Sequence, residues 1–277
     1  MIRDQFELND KVALVVGGRG FLGRRFCAAL VEFGAKVFSA DLPDISMAAR
    51  QDASTVSTEG ITQLNVNVAD PVSVIEMVAQ VTQAAGRIDC LIYSVTAKPK
   101  DFFNPFTECG LDGFHTILRA ELDGAFLVTQ QVGRIMESQQ SGSIIFLSSI
   151  YGVVGNDQRI YVGSNLEQLY VGVESDKPKR IYAHPGYAVS KGAVISLTRY
   201  LAAYWGAMGI RVNCISPGGL AHPGENEEFV MRYSQRVPLG RKAGLDEISG
   251  AVVFLSSEAA SYITGHNMIV DGGWTIW

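Results

Sequence analysis

From Lys11 onward, short runs of almost wholly apolar residues alternate with longer stretches whose apolar residues recur every three or four positions. The short runs are Val12–Val16, Lys36–Ala40, Ile61–Leu64, Ile88–Ser94, Ser143–Leu147, Arg211–Ile215 and Met268–Val270. A strand apolar on both faces is buried on both faces, the condition of a parallel sheet covered by helices. The periodic stretches near 21–33, 71–85, 112–137, 187–207 and 246–257 read as those helices. Strand-then-helix order predicts an α/β fold with a doubly wound parallel sheet of about seven strands and right-handed crossovers. No segment repeats and no Gly/Ser- or Pro-rich linker divides the chain, so residues 1–277 are expected to form one domain. The irregular stretch is 155–186, a segment of the length used for lids and binding loops.

Composition removes several function classes. Apolar residues make up 47% of the 277, enough for a large core, and charged residues only 18%, which argues against long disordered tails. Lys and Arg total 23 against 28 Asp and Glu, a net charge of −5. That acidic balance excludes a general nucleic-acid binder, which needs a basic face. The apolar runs fall far short of the ~20 residues of a membrane span, and the polar Met1–Glu7 stretch has no leader-like apolar core. Cysteines 27, 90, 109 and 214 form no C-x-x-C pair and no metal-ligand cluster. A cytoplasmic protein without a metal centre is the expectation.

The first apolar run leads into Val15-Val16-Gly17-Gly18-Arg19-Gly20-Phe21-Leu22-Gly23 and then a helix. Gly17, Gly20 and Gly23 have G-x-x-G-x-x-G spacing at a strand-to-helix turn. Glycines there let backbone N–H groups approach a pyrophosphate at the positive helix N-terminus, as in a Rossmann-type dinucleotide site. Asp41 ends the second strand, where a carboxylate accepts ribose hydroxyls and repels a 2′-phosphate. That favours NAD over NADP. Arg19 is the counterweight, either as a phosphate partner or as a solvated loop charge.

Further on come Ser149 after its strand, then Tyr187-Ala188-Val189-Ser190-Lys191 on a helix, Pro217-Gly218-Gly219, and Asp271-Gly272-Gly273. With the glycine turn, in this order, the chain resembles the short-chain dehydrogenase/reductase family over roughly residues 9–273. Tyr187 and Lys191 lie four apart and share a helix face. A lysine ammonium beside a tyrosine favours the phenolate, which otherwise forms only near pH ~10. A serine hydroxyl can donate to a substrate oxygen on which charge develops. The resemblance implies that Tyr187 is the general acid/base, that Lys191 also binds the nicotinamide ribose, and that Ser149 orients the alcohol or carbonyl. It also implies cofactor contacts from Leu22, Asn67-Val68, Ser94-Val95 and Pro217-Gly218-Gly219.

Several positions depart from the family pattern. Phe21 stands where the shorter-chain branch usually has glycine. Asn67 replaces an aspartate, and Ser94-Val95-Thr96 occupies the usual N-A-G turn. Glu121 falls where the family has an asparagine that holds a proton-relaying water. Two readings stay open for it: an active-site carboxylate that pairs with Lys191 and relays protons itself, or, with the register off by a turn, a solvated helix charge.

Ser149 and Tyr187 are 38 positions apart, where the family has about a dozen, so the insertion falls over the substrate crevice. Its Asn156, Asp157, Arg159, Tyr161, Asn165, Tyr170 and Tyr182 suit a polyhydroxylated ligand, a sugar or sugar nucleotide, with Arg159 or Arg180 for a phosphate. The alternative is that it packs against a neighbouring subunit. The stretch from Ser148 to Gly155 with Tyr161 is also similar to flagellin-modification and surface-sugar oxidoreductases. The reaction expected is alcohol–ketone interconversion with a small-molecule substrate. The alternatives are an idle nucleotide-binding scaffold or sensor, and an epimerase or dehydratase using transient oxidation. Apolar residues on more than one face of the helices near 112–137 and 187–207, including Leu197, Leu201, Tyr204 and Trp205, predict a homodimer or homotetramer. The apolar Trp274-Thr275-Ile276-Trp277 end is expected to dock on a neighbour.

Overall fold

The computed structural model describes residues 1–43, 57–169 and 180–277. Among them, β1 Val12–Val16, β2 Lys36–Asp41, β3 Ile61–Asn65, β4 Cys90–Tyr93, β5 Gly142–Leu147, β6 Ile210–Pro217 and β7 Asn267–Val270 form one sheet. The order is β3-β2-β1-β4-β5-β6-β7, and every pairing is parallel. The chain reverses direction across the sheet between β1 and β4, so a crevice opens at the C-terminal ends of those two strands. All residues of β1 and β4 are buried, as their unbroken apolar runs predict. The two edge strands are the exceptions: Thr62, Gln63 and Asn65 of β3 and Ile269 of β7 are exposed, and no residue of β7 is buried. At the edges of the sheet these strands meet water, so the expectation of burial on both faces fails there.

Two helical layers cover the sheet. On one face α1 (Gly23–Glu32) and α8 (Ser249–Ser256) bring Phe26, Leu30, Val252 and Leu255 onto Ala13, Val15, Ile145 and Ile215. On the other, α2 (Pro71–Ala85), α4 (Gly124–Gln139) and α6 (Pro185–Trp205) bring Met77, Val81, Val128, Val132 and Val194 onto Leu14, Leu91, Ile144 and Val212. Each such side chain removed from water contributes about 1.5–3 kcal/mol, which is what orients the amphipathic stretches. Local signals set the helix ends. Asp70 caps α2 by accepting from the Val72 N–H at 3.0 Å, with Pro71 at its first position and left-handed Gly86 after its end. His184 caps α6 through Nδ1, which accepts from the Gly186 N–H at 3.0 Å.

The single helix expected over 112–137 is divided. α3 (Leu111–Leu118) runs into a π-helical turn, Arg119–Asp123, before α4 begins. The Tyr93 hydroxyl, reaching up from the end of β4, donates to the Ala120 carbonyl within that turn. Such turns insert one extra residue into a helix and re-aim the side chains around them.

A third apolar cluster sits beyond the C-terminal ends of the strands. It joins Phe102, Phe103 and Ile117 to Ile160, Tyr161, Leu166 and Ile181 of the insertion, and to Phe229, Tyr233 and Trp274 near the chain's end. The expected structureless loop at 155–186 is therefore partly ordered and packed. It contains a 3₁₀ turn at Gln158–Tyr161 and the short α5 (Leu166–Leu169). Tyr170 and the Lys177-Pro178-Lys179 group lie outside the described residues. α7 (Glu227–Ser234), capped by Asn226, is not among the expected helices; it turns Phe229 and Tyr233, four apart on one face, into this cluster.

Candidate active site

A cleft of about 730 Å³ opens at the C-terminal ends of β1, β4 and β5. Its first half is built by the glycine turn. Gly17 has φ +83°, and a Cβ on it would meet the Ser94 carbonyl oxygen at 2.5 Å. A Cβ on Gly23 would lie 2.0 Å from the Gly17 carbonyl oxygen. Only glycine allows the turn, the start of α1 and the β4 loop to pack backbone on backbone. Gly17, Gly20, Phe21, Leu22, Asp41 and Asn67 line this half, with Val68, Ser94, Val95, Pro217 and Gly218 beside them. Backbone approach at a helix N-terminus, with a carboxylate at the end of β2, fits the diphosphate and ribose of a dinucleotide.

Asp41 accepts the Arg19 N–H on Oδ2 at 3.0 Å and the Leu42 N–H on Oδ1 at 2.9 Å. Burial raises its carboxyl above the usual range, and those two donors oppose the shift. The Arg19 side chain does not line the cleft. It donates to the Gln63 side chain at 3.1 Å, the Leu42 and Leu64 carbonyls at 3.0 and 2.9 Å, and Asn65 Oδ1 at 3.0 Å. Arg19 thus clasps the glycine turn to the edge strand, because the ends of β2 and β3 present four acceptors to it. Gly23 lies beneath the turn. Gly219 also lies off the cleft: its N–H donates to the Tyr233 hydroxyl, whose ring a Cβ there would strike. Phe21 stacks on His222 at 5.0 Å, bridging the glycine turn to the loop after β6.

The second half holds Ser149, Tyr187 and Lys191. Ser149 follows β5 and shares a side-chain hydrogen bond with Tyr187. The Ser148 hydroxyl donates to the Lys191 carbonyl at 2.8 Å, fixing α6 against the end of β5. Lys191 Nζ lies 5.4 Å from the centre of the Tyr187 ring and donates to the Leu147 carbonyl at 3.0 Å. Burial raises the Tyr187 phenol above its ordinary value; Lys191 and the Ser149 hydrogen bond pull it down, and Glu121 pushes it up.

Glu121, carried by the π turn, is 1% exposed and lies under the cleft floor. Its Oε2 is 3.1 Å from Lys191 Nζ and accepts from the Ser190 hydroxyl at 2.6 Å. Its Oε1 accepts from the Thr96 hydroxyl at 2.7 Å and the Ala97 N–H at 3.3 Å. Burial alone lowers the Lys191 ammonium, but Glu121 and Tyr187 outweigh it and the net direction is upward. Glu121 is a buried, ion-paired carboxylate, not a solvated helix charge.

The end of the cleft away from the glycine turn is walled by Phe102, Phe103, Tyr151, Tyr161, Leu166 and His184. The Tyr161 hydroxyl donates to that of Tyr151 at 3.1 Å. Of Asn156, Asp157, Arg159, Tyr161, Asn165 and Tyr182, Tyr161 alone lines the cleft. Arg159 pairs with Asp157 at 2.8 Å and is 75% exposed, and Arg180 lies over the Tyr182 ring at the surface. Asn165 ties the insertion to Gly224 and Asn226. Lys98, which nothing in the sequence pattern singled out, also lines the cleft. Burial pushes its ammonium down to about 8; Glu121 opposes the shift and Lys191 adds to it.

Residues 11–164 match the short chain dehydrogenase family, and residues 171–275 match the family described as Enoyl-(Acyl carrier protein) reductase. The chain belongs to the short-chain dehydrogenase/reductase family and is an oxidoreductase of the kind that uses a nicotinamide dinucleotide. D-threitol dehydrogenase of Mycolicibacterium smegmatis is 31% identical over 98% of this chain and 95% of its own. A short chain dehydrogenase from Leptospira borgpetersenii, solved with bound NAD+, superposes with a TM-score of 0.81 at 28% identity, covering 98% of this chain and 95% of its own. A gluconate 5-dehydrogenase from Burkholderia cenocepacia, solved with NADP and tartrate, gives 0.78 at 27% identity, covering 99% and 98%.

Proposed function

We propose that this chain is an NAD(H)-dependent dehydrogenase or reductase that interconverts a secondary alcohol and a ketone on a small polyhydroxylated substrate. The observation that carries the reading is Ser149, Tyr187 and Lys191 gathered in one cleft with the glycine turn. Asp41 supports NAD over NADP, since a carboxylate at the end of β2 opposes a 2′-phosphate and Arg19 is engaged elsewhere. Hydroxyls of Tyr151 and Tyr161 against the rings of Phe102 and Phe103 support a ligand with hydroxyls on one face and C–H groups on the other. Relatives named for threitol and gluconate point the same way.

The bound nicotinamide supplies the hydride acceptor or donor. In alcohol oxidation the Tyr187 phenolate takes the hydroxyl proton, the Lys191 ammonium stabilises that phenolate, and Ser149 donates to the substrate oxygen. Positioned acid–base groups of this kind contribute about 10²–10⁴ in rate. We read Glu121 as part of this site through its contact with Lys191.

Residues 1–277 act as one domain, in the cytoplasm, as a homodimer or homotetramer. Tyr200 and Tyr204 support a covered face: they stack on each other at the surface, 67% and 56% exposed. Trp205 belongs instead to the chain's own core, donating to Glu137 at 2.7 Å. The C-terminus divides in the same way: Trp274 stacks on Tyr233 at 4.4 Å, while Ile276 and Trp277 are exposed.

The test is reduction of NAD and NADP over a panel of polyols, sugars, sugar acids and sugar nucleotides, beside Tyr187→Phe. Turnover with NAD that the variant loses is the expected result. Bound cofactor with no turnover on any substrate refutes it.

A further inference from the structure

Two departures from the family pattern, 25 residues apart in sequence, touch each other. Thr96 stands at the last position of the turn where the family has N-A-G, and Glu121 stands where it has asparagine. The Thr96 hydroxyl donates to Glu121 Oε1 at 2.7 Å, and the opposite oxygen of that carboxylate lies 3.1 Å from Lys191 Nζ. We propose that Lys191, Glu121 and Thr96 form a side-chain proton conduit from the reacting tyrosine to the cleft, with the Thr96 hydroxyl as its mouth. The inference rests on the oxidoreductase reading above.

Exposure runs along the chain of contacts in the required direction. Lys191 is 5% exposed and Glu121 1%, while Thr96 is exposed and lines the cleft. A carboxylate has about four acceptor positions, and four donors hold this one: Thr96, Ala97, Ser190 and Lys191. Of these, the Ala97 amide cannot shuttle a proton. The Ser190 hydroxyl is fully buried and also donates to the Tyr187 carbonyl at 2.9 Å, so it leads nowhere. Thr96 is the one described donor on Glu121 with both an exchangeable hydroxyl and contact with water.

Alcohol oxidation leaves the hydroxyl proton on Tyr187, and this proton must leave for the base to be regenerated. In the conduit Lys191 passes a proton from Nζ to Glu121 Oε2. A half-turn of the carboxyl about Cγ–Cδ carries that same proton to the side facing Thr96, Glu121 passes it to Thr96 Oγ1, and Thr96, its hydroxyl turned to the cleft, releases its own proton to water. Lys191 is reprotonated from the Tyr187 side. One proton enters, one leaves, and no heavy-atom bond or electron count changes. Reduction runs the same path inward. Thr96 and Glu121 act through Lys191 and are positioning residues.

The test compares Thr96→Val, which keeps the shape and removes the hydroxyl, with Thr96→Ser, which keeps the hydroxyl. Thr96→Val is expected to lower kcat about tenfold with both KM values within about twofold, to enlarge the solvent deuterium effect, and to be rescued by small buffer acids. Thr96→Ser is expected to stay within about twofold of the parent. Equal losses in both variants, or a Thr96→Val loss in KM alone without buffer rescue, would overturn the conduit. A second readout needs no turnover: the Tyr187 titration in ligand-free protein, taken as the absorbance difference from Tyr187→Phe. Glu121→Gln should move that titration to higher pH, because without Glu121 the buried Lys191 loses the ammonium charge that pulls the phenol down, and an unmoved titration also overturns the conduit. Failure of the parent protein on every substrate refutes the oxidoreductase reading instead, and the titration still decides the coupling.

Discussion

Replacing Glu121 by methionine isolates the energetics of the buried pair. The side chain is close in length, so packing changes little, but the Lys191 ammonium loses its partner at 3.1 Å. Three further donors, from Thr96, Ala97 and Ser190, lose their acceptor as well. Breaking a buried ion pair on one side costs about 3–5 kcal/mol. For 277 residues, at ~2.1 cal/mol/K each, the unfolding entropy is about 0.6 kcal/mol/K, so Tm should fall by about 5–9 °C. The pH dependence carries the sharper test. In the parent, Glu121 and Tyr187 hold the Lys191 ammonium above its ordinary value despite burial. Its contribution is therefore complete below pH ~10.4 and lost as pH rises through the higher folded value. In Glu121→Met burial dominates, the folded value drops below the ordinary one, and stability rises with pH across the window beneath ~10.4. Thermal unfolding followed by circular dichroism at pH 6.5, 8 and 9.5, without cofactor, should show a Tm gap widest near neutrality that narrows towards alkaline pH. A gap under 2 °C, or one constant across that range, would refute the claim that Lys191 is held charged by Glu121.

Asp41→Ser removes the carboxylate from the end of β2 and should raise NADP affinity relative to NAD by about tenfold or more, read by fluorescence titration of both cofactors. An unchanged ratio would move the choice elsewhere. Gly23→Ala places a methyl 2.0 Å from the Gly17 carbonyl oxygen. Backbone must shift, so a loss of about 1–3 kcal/mol together with weakened dinucleotide binding is expected from calorimetry. Lys98 should titrate near 8 by NMR of its labelled side chain. Glu121→Gln should move that titration lower still, since the lost carboxylate was the influence raising it; an upward move would contradict the charge arrangement.

Much of this architecture was legible in the chain itself, and the reason is locality. A parallel strand buried on both faces must be apolar almost without a break, so Val12–Val16 and the run Ile88–Ser94 announce themselves. Gly17 and Gly23 are dictated by close backbone approach, and Tyr187 and Lys191 share a face because a helix repeats every 3.6 residues. What had to wait for the tertiary structure depends on neighbours from distant segments. The sequence cannot distinguish a buried Glu121 from a solvated one, because the difference lies in Thr96 and Lys191, brought to it from the β4 loop and from α6. Arg19 has the same charge whether it meets a phosphate or clasps Leu42 and Leu64. Ile160, Leu166 and Ile181 of the insertion find their partners in Phe102, Phe229 and Trp274, from three other parts of the chain. Secondary structure and the proposed reacting pair, Tyr187 and Lys191, follow from patterns within a few turns of chain. Which charges are paired, and which residues wall the cleft, follow only from the path that brings those turns together.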